Sequence, residues 1–192
     1  MTVANWSVLN FGKYKNKSLP EVVSRDPDYF FRANDAFVFQ LRGYPEAGSL
    51  AQKARNIKIP KPDGEDWFIV YDYEPPGTRK KFCGFRLVQA SLSTAEEIGL
   101  RYLDLSVVYR RGRSDKFANK CMVRDFKLHY FGKPFANLSR EECEEFFDCD
   151  ANFYEEPTLP LELFRPFPPE PALTEASATQ QLDSKNSVDA QF

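Results

Sequence analysis

The sequence predicts an α+β fold: an antiparallel sheet of about four strands, arranged as two hairpins, packed by helices and followed by a disordered acidic tail. Three observations predict it. Four runs rich in β-branched and aromatic residues stand at 67–71, 85–89, 101–109 and 121–130, with turn residues between them. Helix-start signals flank this block on both sides, each a capping Ser or Asp with an early proline or a carboxylate three positions on. Charge is segregated: residues 75–133 carry 13 Lys/Arg against 5 Asp/Glu, residues 134–192 carry 3 against 13, and residues 1–74 balance at 10 each. The formal net charge of −2 conceals this division.

Composition bounds the rest. A chain of 192 residues, 42% hydrophobic with 18 Phe and 9 Tyr, can bury one substantial core. It has no apolar run long enough to span a membrane, and its first residues lack the charged start and apolar stretch of a signal peptide, so a cytoplasmic setting without a membrane partner is expected. The four cysteines, Cys83, Cys121, Cys143 and Cys149, form no C-x-x-C pair, and free thiols are expected in reducing cytosol. With His129 the single histidine, a zinc finger or a histidine-based triad is a poor fit. No phosphate-cradling glycine loop occurs.

The elements follow in order. Residues 8–11 read as a short strand broken at Gly12, and Asn16 suits the left-handed position of a turn. Ser18 caps a helix opening Leu19-Pro20-Glu21, and Asp26-Pro27-Asp28 opens a second with Tyr29, Phe30, Ala33 and Phe37 on its apolar face. Residues 49–57 fit a short helix, and 58–66 a polar connector. The first hairpin turns at Pro75-Pro76-Gly77-Thr78, and Ser93 opens a short helix with early carboxylates. The second hairpin turns through residues 110–116. Ser139 caps a helix with Glu142 at the box position, and Cys143, Phe146 and Phe147 face the sheet. Residues 1–154 thus form one domain: a helical module at 8–45, the sheet at 66–131 and the helix at 139–148. Residues 155–192 form the tail; its last 36 residues hold six of 14 prolines and no glycine, too little apolar surface to offset ordering entropy.

Residues Phe11-Gly12-Lys13-Tyr14-Lys15-Asn16-Lys17-Ser18-Leu19, followed by Asp26-Pro27-Asp28-Tyr29-Phe30, resemble a module found at the C-terminus of exodeoxyribonuclease X-like proteins and in a small family of quorum-sensing-regulated virulence factors. The resemblance spans about residues 8–33; Asn16 stands where that pattern has glycine and Arg32 where it has tryptophan. It implies the company of DNA-processing proteins of bacteria, phages and plasmids and carries no settled chemistry.

Three groups of candidate residues emerge. For nucleic acid, Lys13, Lys15 and Lys17 interleave with Tyr14, and Arg79, Lys80, Lys81, Arg110, Arg111, Arg113 and Lys116 gather at two hairpin turns that a four-stranded meander places on one edge as a basic rim. The plainer alternative is lysines that solvate turns. For metal-dependent cleavage, Asp104 with Asp125 and Lys127 on a neighbouring antiparallel strand resembles the core of PD-(D/E)xK nucleases, whose carboxylates hold a divalent ion; magnesium is expected only under that reading and otherwise no cofactor. The alternative is a decorated solvent face. For a protein partner, Leu161, Leu163 and Phe164 resemble the peptide that docks on bacterial replication clamps, with Pro160 in place of its glutamine; the alternative is packing on the chain's own body. The expected function is a small DNA-associated accessory protein of a phage, plasmid or mobile element, binding nucleic acid through the rim. A protein-binding inhibitor or adaptor and a metal-dependent nuclease are the alternatives.

Overall fold

The computed structural model describes residues 6–61, 66–74, 82–92, 99–109 and 116–154. Residues 1–157 group as one unit and 158–192 as another, the latter outside the described residues, as is the clamp-like peptide with Leu161, Leu163 and Phe164.

The N-terminal half is helical: α1 (Leu19–Arg25), α2 (Pro27–Asp35), α3 (Val38–Leu41) and α4 (Ala47–Arg55). Proline lies at the start of α1 and α2, where no backbone donor is needed. Glu21 accepts the Ser18 N–H at 3.0 Å, and Asp26 accepts the Tyr29 N–H at 3.2 Å. The apolar spacing of α4 buries Ala47, Leu50, Ala51 and Ala54. Helix α1 is buried from Leu19 to Ser24 because α2, α4 and α6 (Arg140–Asp148) all pack on it. The expected strand at 8–11 reduces to one bridge, Val8 to Ser18. Phe37, expected on the apolar face of α2, follows the end of that helix in a left-handed conformation (φ 57°) and is 66% exposed.

Among the described residues four strands pair antiparallel: β1 (Ile57–Lys58), β2 (Trp67–Tyr73), β3 (Phe82–Gln89) and β4 (Tyr102–Leu103). They form two ribbons, β1 with β4 and β2 with β3, and a bridge joins Ile69 of β2 to Leu100, two residues before β4. The β2–β3 hairpin runs in register from Trp67 opposite Gln89 to Asp72 opposite Gly84, with a shift before Tyr73. The mixed fold and small antiparallel sheets agree with the sequence-based expectation.

The second hairpin does not form. Residues 101–109 contribute only the two residues of β4 before Asp104 caps a 3-10 turn over Leu105–Val108, its carboxylate accepting the Ser106 N–H at 2.8 Å and the Ser106 hydroxyl at 2.6 Å. Residues 121–130 are helix, the body of α5 (Lys116–Phe131), so the sheet does not extend through 131. The buried positions Ala118, Cys121, Met122, Asp125 and Phe126 follow a helical period, and that face packs on β3. Asp125 accepts the Phe85 N–H at 3.0 Å and pairs with Arg124 Nε at 2.7 Å. The close approach requires glycine at 84: its φ is +145°, and a Cβ there would collide with the Asp125 carboxylate.

Helix α6 starts as expected, Ser139 and Glu142 completing a reciprocal capping box. Its buried Cys143 turns to Ser24 of α1 and not to the sheet. Phe126, Tyr130, Phe131, Phe146, Phe147 and Phe153 form an aromatic cluster, with neighbouring ring centroids 5.1–5.8 Å apart. One hydrophobic core therefore runs from Trp6 and Leu9 through Phe30 and Ile69 to Phe126 and Phe153. None of the four cysteines is in a disulfide; Cys121 and Cys143 are buried and Cys149 is exposed. Among the described residues no helix is long and apolar enough to cross a membrane.

Candidate nucleic-acid interface

The lysine-rich turn is held as a built loop. Leu9 N–H donates to Lys17 O at 2.9 Å and Asn16 N–H donates to Leu9 O at 2.7 Å, closing the segment between them. Gly12 (φ 70°) and Asn16 (φ 69°) supply its left-handed positions, so asparagine fills the turn as expected. The Tyr29 hydroxyl lies 2.8 Å from where a Cβ on residue 12 would sit, so the loop backbone rests directly on α2.

Asp26 is the knot. One carboxylate oxygen caps α2; the other accepts Lys13 Nζ at 2.7 Å and the Tyr14 hydroxyl at 2.6 Å. The bond to Asp26 raises the Lys13 ammonium well above its ordinary range, and burial with the same bond raises the Tyr14 phenol. Tyr14 and Tyr29 pack edge to face at 5.1 Å, with Lys13 Nζ 4.9 Å from the Tyr14 ring. The Lys13 side chain is still 64% exposed.

These groups form one wall of a cleft of about 390 Å³. Arg25 and Arg32 lie along it: Arg25 donates to Leu138 O at 2.8 Å, and Arg32 pairs with Asp28 at 2.9 Å. The first turn of α5 forms the other wall with Lys116, Asn119 and Lys120, residues that helical spacing brings onto one face. Asn119 Oδ1 accepts the Asp28 N–H at 3.3 Å, joining α5 to α2. Among the described residues that line it, five cations stand against two carboxylates, a surplus of three positive charges, with Arg25 also 3.6 Å from Glu21.

Residues 9–30 match the family model described as Exodeoxyribonuclease X-like C-terminal. The match covers the loop, α1 and the first turn of α2, which together carry Lys13, Tyr14, Asp26 and Tyr29. It does not reach α5, so the second wall of the cleft belongs to the remainder of this chain. No curated protein and no solved structure matches the chain.

The sequence-predicted residues divide sharply. Lys13 and Lys116 line the cleft. Lys15 is exposed on the same loop and makes no ion pair among the described residues, whereas Lys17 is tied to buried Glu21 at 3.0 Å. Arg79, Lys80, Lys81, Arg110, Arg111 and Arg113 lie outside the described residues. The geometry expected for their rim is nevertheless corrected, because residues 110–115 join a 3-10 turn to a helix and not two strands of a hairpin.

The nuclease constellation is not assembled. Asp125 and Lys127 stand on a helix instead of a strand paired with Asp104. Asp104 is spent on Ser106, Asp125 on Phe85 and Arg124, and Lys127 Nζ donates to Ala136 O at 2.8 Å. Among the described residues no group of three or more His, Cys, Asp or Glu could hold a metal ion. Sequence reasoning missed Arg25, Arg32, Asn119 and Lys120 as site residues. The available signal was the i, i+3, i+4 spacing of Lys116, Asn119 and Lys120, visible only once that stretch is read as helix.

Proposed function

We propose that this protein is a nucleic-acid-binding accessory protein that grips the phosphate backbone at the cleft between the N-terminal loop and the start of α5. The observation that carries this reading is the convergence of Lys13, Arg25, Arg32, Lys116 and Lys120 on one nucleotide-sized hollow beside Tyr14 and Tyr29. Clustered cations release counterions from a phosphate chain, and aromatic rings beside them suit unpaired bases. The match of residues 9–30 to a module named for an exodeoxyribonuclease agrees with work on DNA. The basic segments at 79–81 and 110–113 add to the positive charge of the sequence that motivates this reading, and they lie outside the described residues.

The paired and unpaired cations have different roles. Lys15, Lys116 and Lys120 make no ion pair among the described residues and are free to meet phosphate, whereas Lys17 already neutralises a buried carboxylate. Fluorescence anisotropy with labelled single- and double-stranded DNA across a salt series tests this. Lys15→Gln, Lys116→Gln and Lys120→Gln should each reduce the salt slope by about one. Absence of binding to either DNA form at low salt would end the reading.

A further inference from the structure

Resting on the nucleic-acid reading above, we propose that the cleft receives the phosphate-bearing end of a single strand and not an internal stretch of duplex. Size comes first. At about 390 Å³ the cleft lies near the lower end of the roughly 300–1,000 Å³ typical of small-ligand sites, room for a nucleotide and not for a paired helix.

Charge is the second reason. An internal nucleotide with both of its flanking diesters brings two negative charges, short of the surplus of three among the described lining residues. A terminal phosphate monoester brings about −1.5 to −2. With the adjacent diester it comes close to neutralising that surplus.

Donor availability is the third. Lys116 and Lys120 are exposed and unpaired among the described residues. Lys13 and Arg32 are half-exposed and held by Asp26 and Asp28, so a phosphate can compete for them. Asn119 has its orientation decided by the Asp28 N–H that its carbonyl accepts, which leaves both N–H groups of its amide available at the wall. The first-turn N–H groups of α2 are already taken, Asp28 by Asn119, Tyr29 by the Asp26 carboxylate and Phe30 by Asp26 O. Recognition therefore falls to side chains, chiefly from α5, the wall that lies outside the matched module.

The test is anisotropy binding of the full chain to short oligonucleotides of one sequence. They carry a 5′-phosphate, a 3′-phosphate or neither, each as single strand and as blunt duplex, with inorganic phosphate as competitor. One phosphorylated single-stranded end should bind about tenfold more tightly than its unphosphorylated counterpart, the worth of one added charge-assisted contact. Combined Lys116→Gln and Lys120→Gln should bring that ratio to about one while the thermal melt stays unchanged. Equal affinity for all single strands whatever their ends would overturn the inference and leave the nucleic-acid reading standing. So would duplex binding as tight as single-strand binding, or displacement by inorganic phosphate at concentrations matching the oligonucleotide. Failure of every nucleic acid to bind overturns both.

Discussion

Two carboxylates organise two regions of this protein in opposite ways. In the N-terminal module Asp26 gathers Lys13 and the Tyr14 hydroxyl at the mouth of a cleft, where the lysine remains mostly exposed. In the seam between β3 and α5, Asp125 is buried and spends one oxygen on the backbone N–H of Phe85, with Gly84 shaped to admit it. Both carboxylates are buried and both accept a backbone N–H. The lysine paired with Asp26 is exposed, however, so water and salt compete for it and the ion pair itself adds little to stability. A buried carboxylate on a backbone donor cannot be given up so cheaply. Asp26 thus holds cations in reserve, while Asp125 holds the fold.

Phe126→Ala removes a ring that meets Tyr130, Phe131 and Phe146 at the base of the seam, and should cost about 3–5 kcal/mol in denaturant unfolding. Asp125→Ala leaves the Phe85 N–H and the Arg124 guanidinium without their partner and should cost roughly 2–3 kcal/mol. Its remaining folded fraction should bind DNA as before. A loss of stability below about 0.5 kcal/mol would show that Asp125 is not a structural staple.

Asp26→Asn should do the reverse. It keeps a capping oxygen for Tyr29 and costs about 1 kcal/mol or less in a thermal melt. It also frees Lys13, so DNA affinity should rise a fewfold and the salt slope steepen by about one. Weaker binding by this variant would mean that Asp26 positions Lys13 instead of competing for it.

The smallest effect is confined to alkaline pH. Burial pushes the Cys143 thiol up to about 11. A group whose pKa is raised by folding contributes stability that is full below its unfolded value of about 8.5 and is lost as pH rises through the folded value. Unfolding free energy should therefore decline between about pH 8.5 and 11, and Cys143→Ser should flatten that decline. In the same range a thiol reagent should reach exposed Cys149 long before buried Cys143.

Much of the first region was legible in the sequence. Gly12, Asn16, Ser18, Pro20, Glu21 and the Asp26-Pro27 pair each carry a backbone instruction that acts within a few residues, and the loop, α1 and α2 form where those instructions place them. The Ser139 box did the same for α6. The seam was misread because Cys121 to Tyr130 mixes Val, Phe, Leu and Tyr with charges and passes for a strand. Read as a helix, its buried face includes Asp125, a charged residue in the middle of an apolar stripe. Asp104-Leu105-Ser106 misled in the same manner, since its capping bond ends a strand that the apolar residues suggest.

Neighbouring residues dictate the local turns and caps of the N-terminal module and the β2–β3 hairpin, and composition sets a basic middle against an acidic end. Tertiary structure alone decided that 116–131 is a helix, that Asp125 sits buried against Gly84, and that Lys116 and Lys120 face Lys13 across a cleft. The physical reason is range. Caps and turns are satisfied by atoms a few residues away, whereas a buried carboxylate and a two-walled cleft need partners brought from distant parts of the chain, here residues 85 to 125 and 28 to 119.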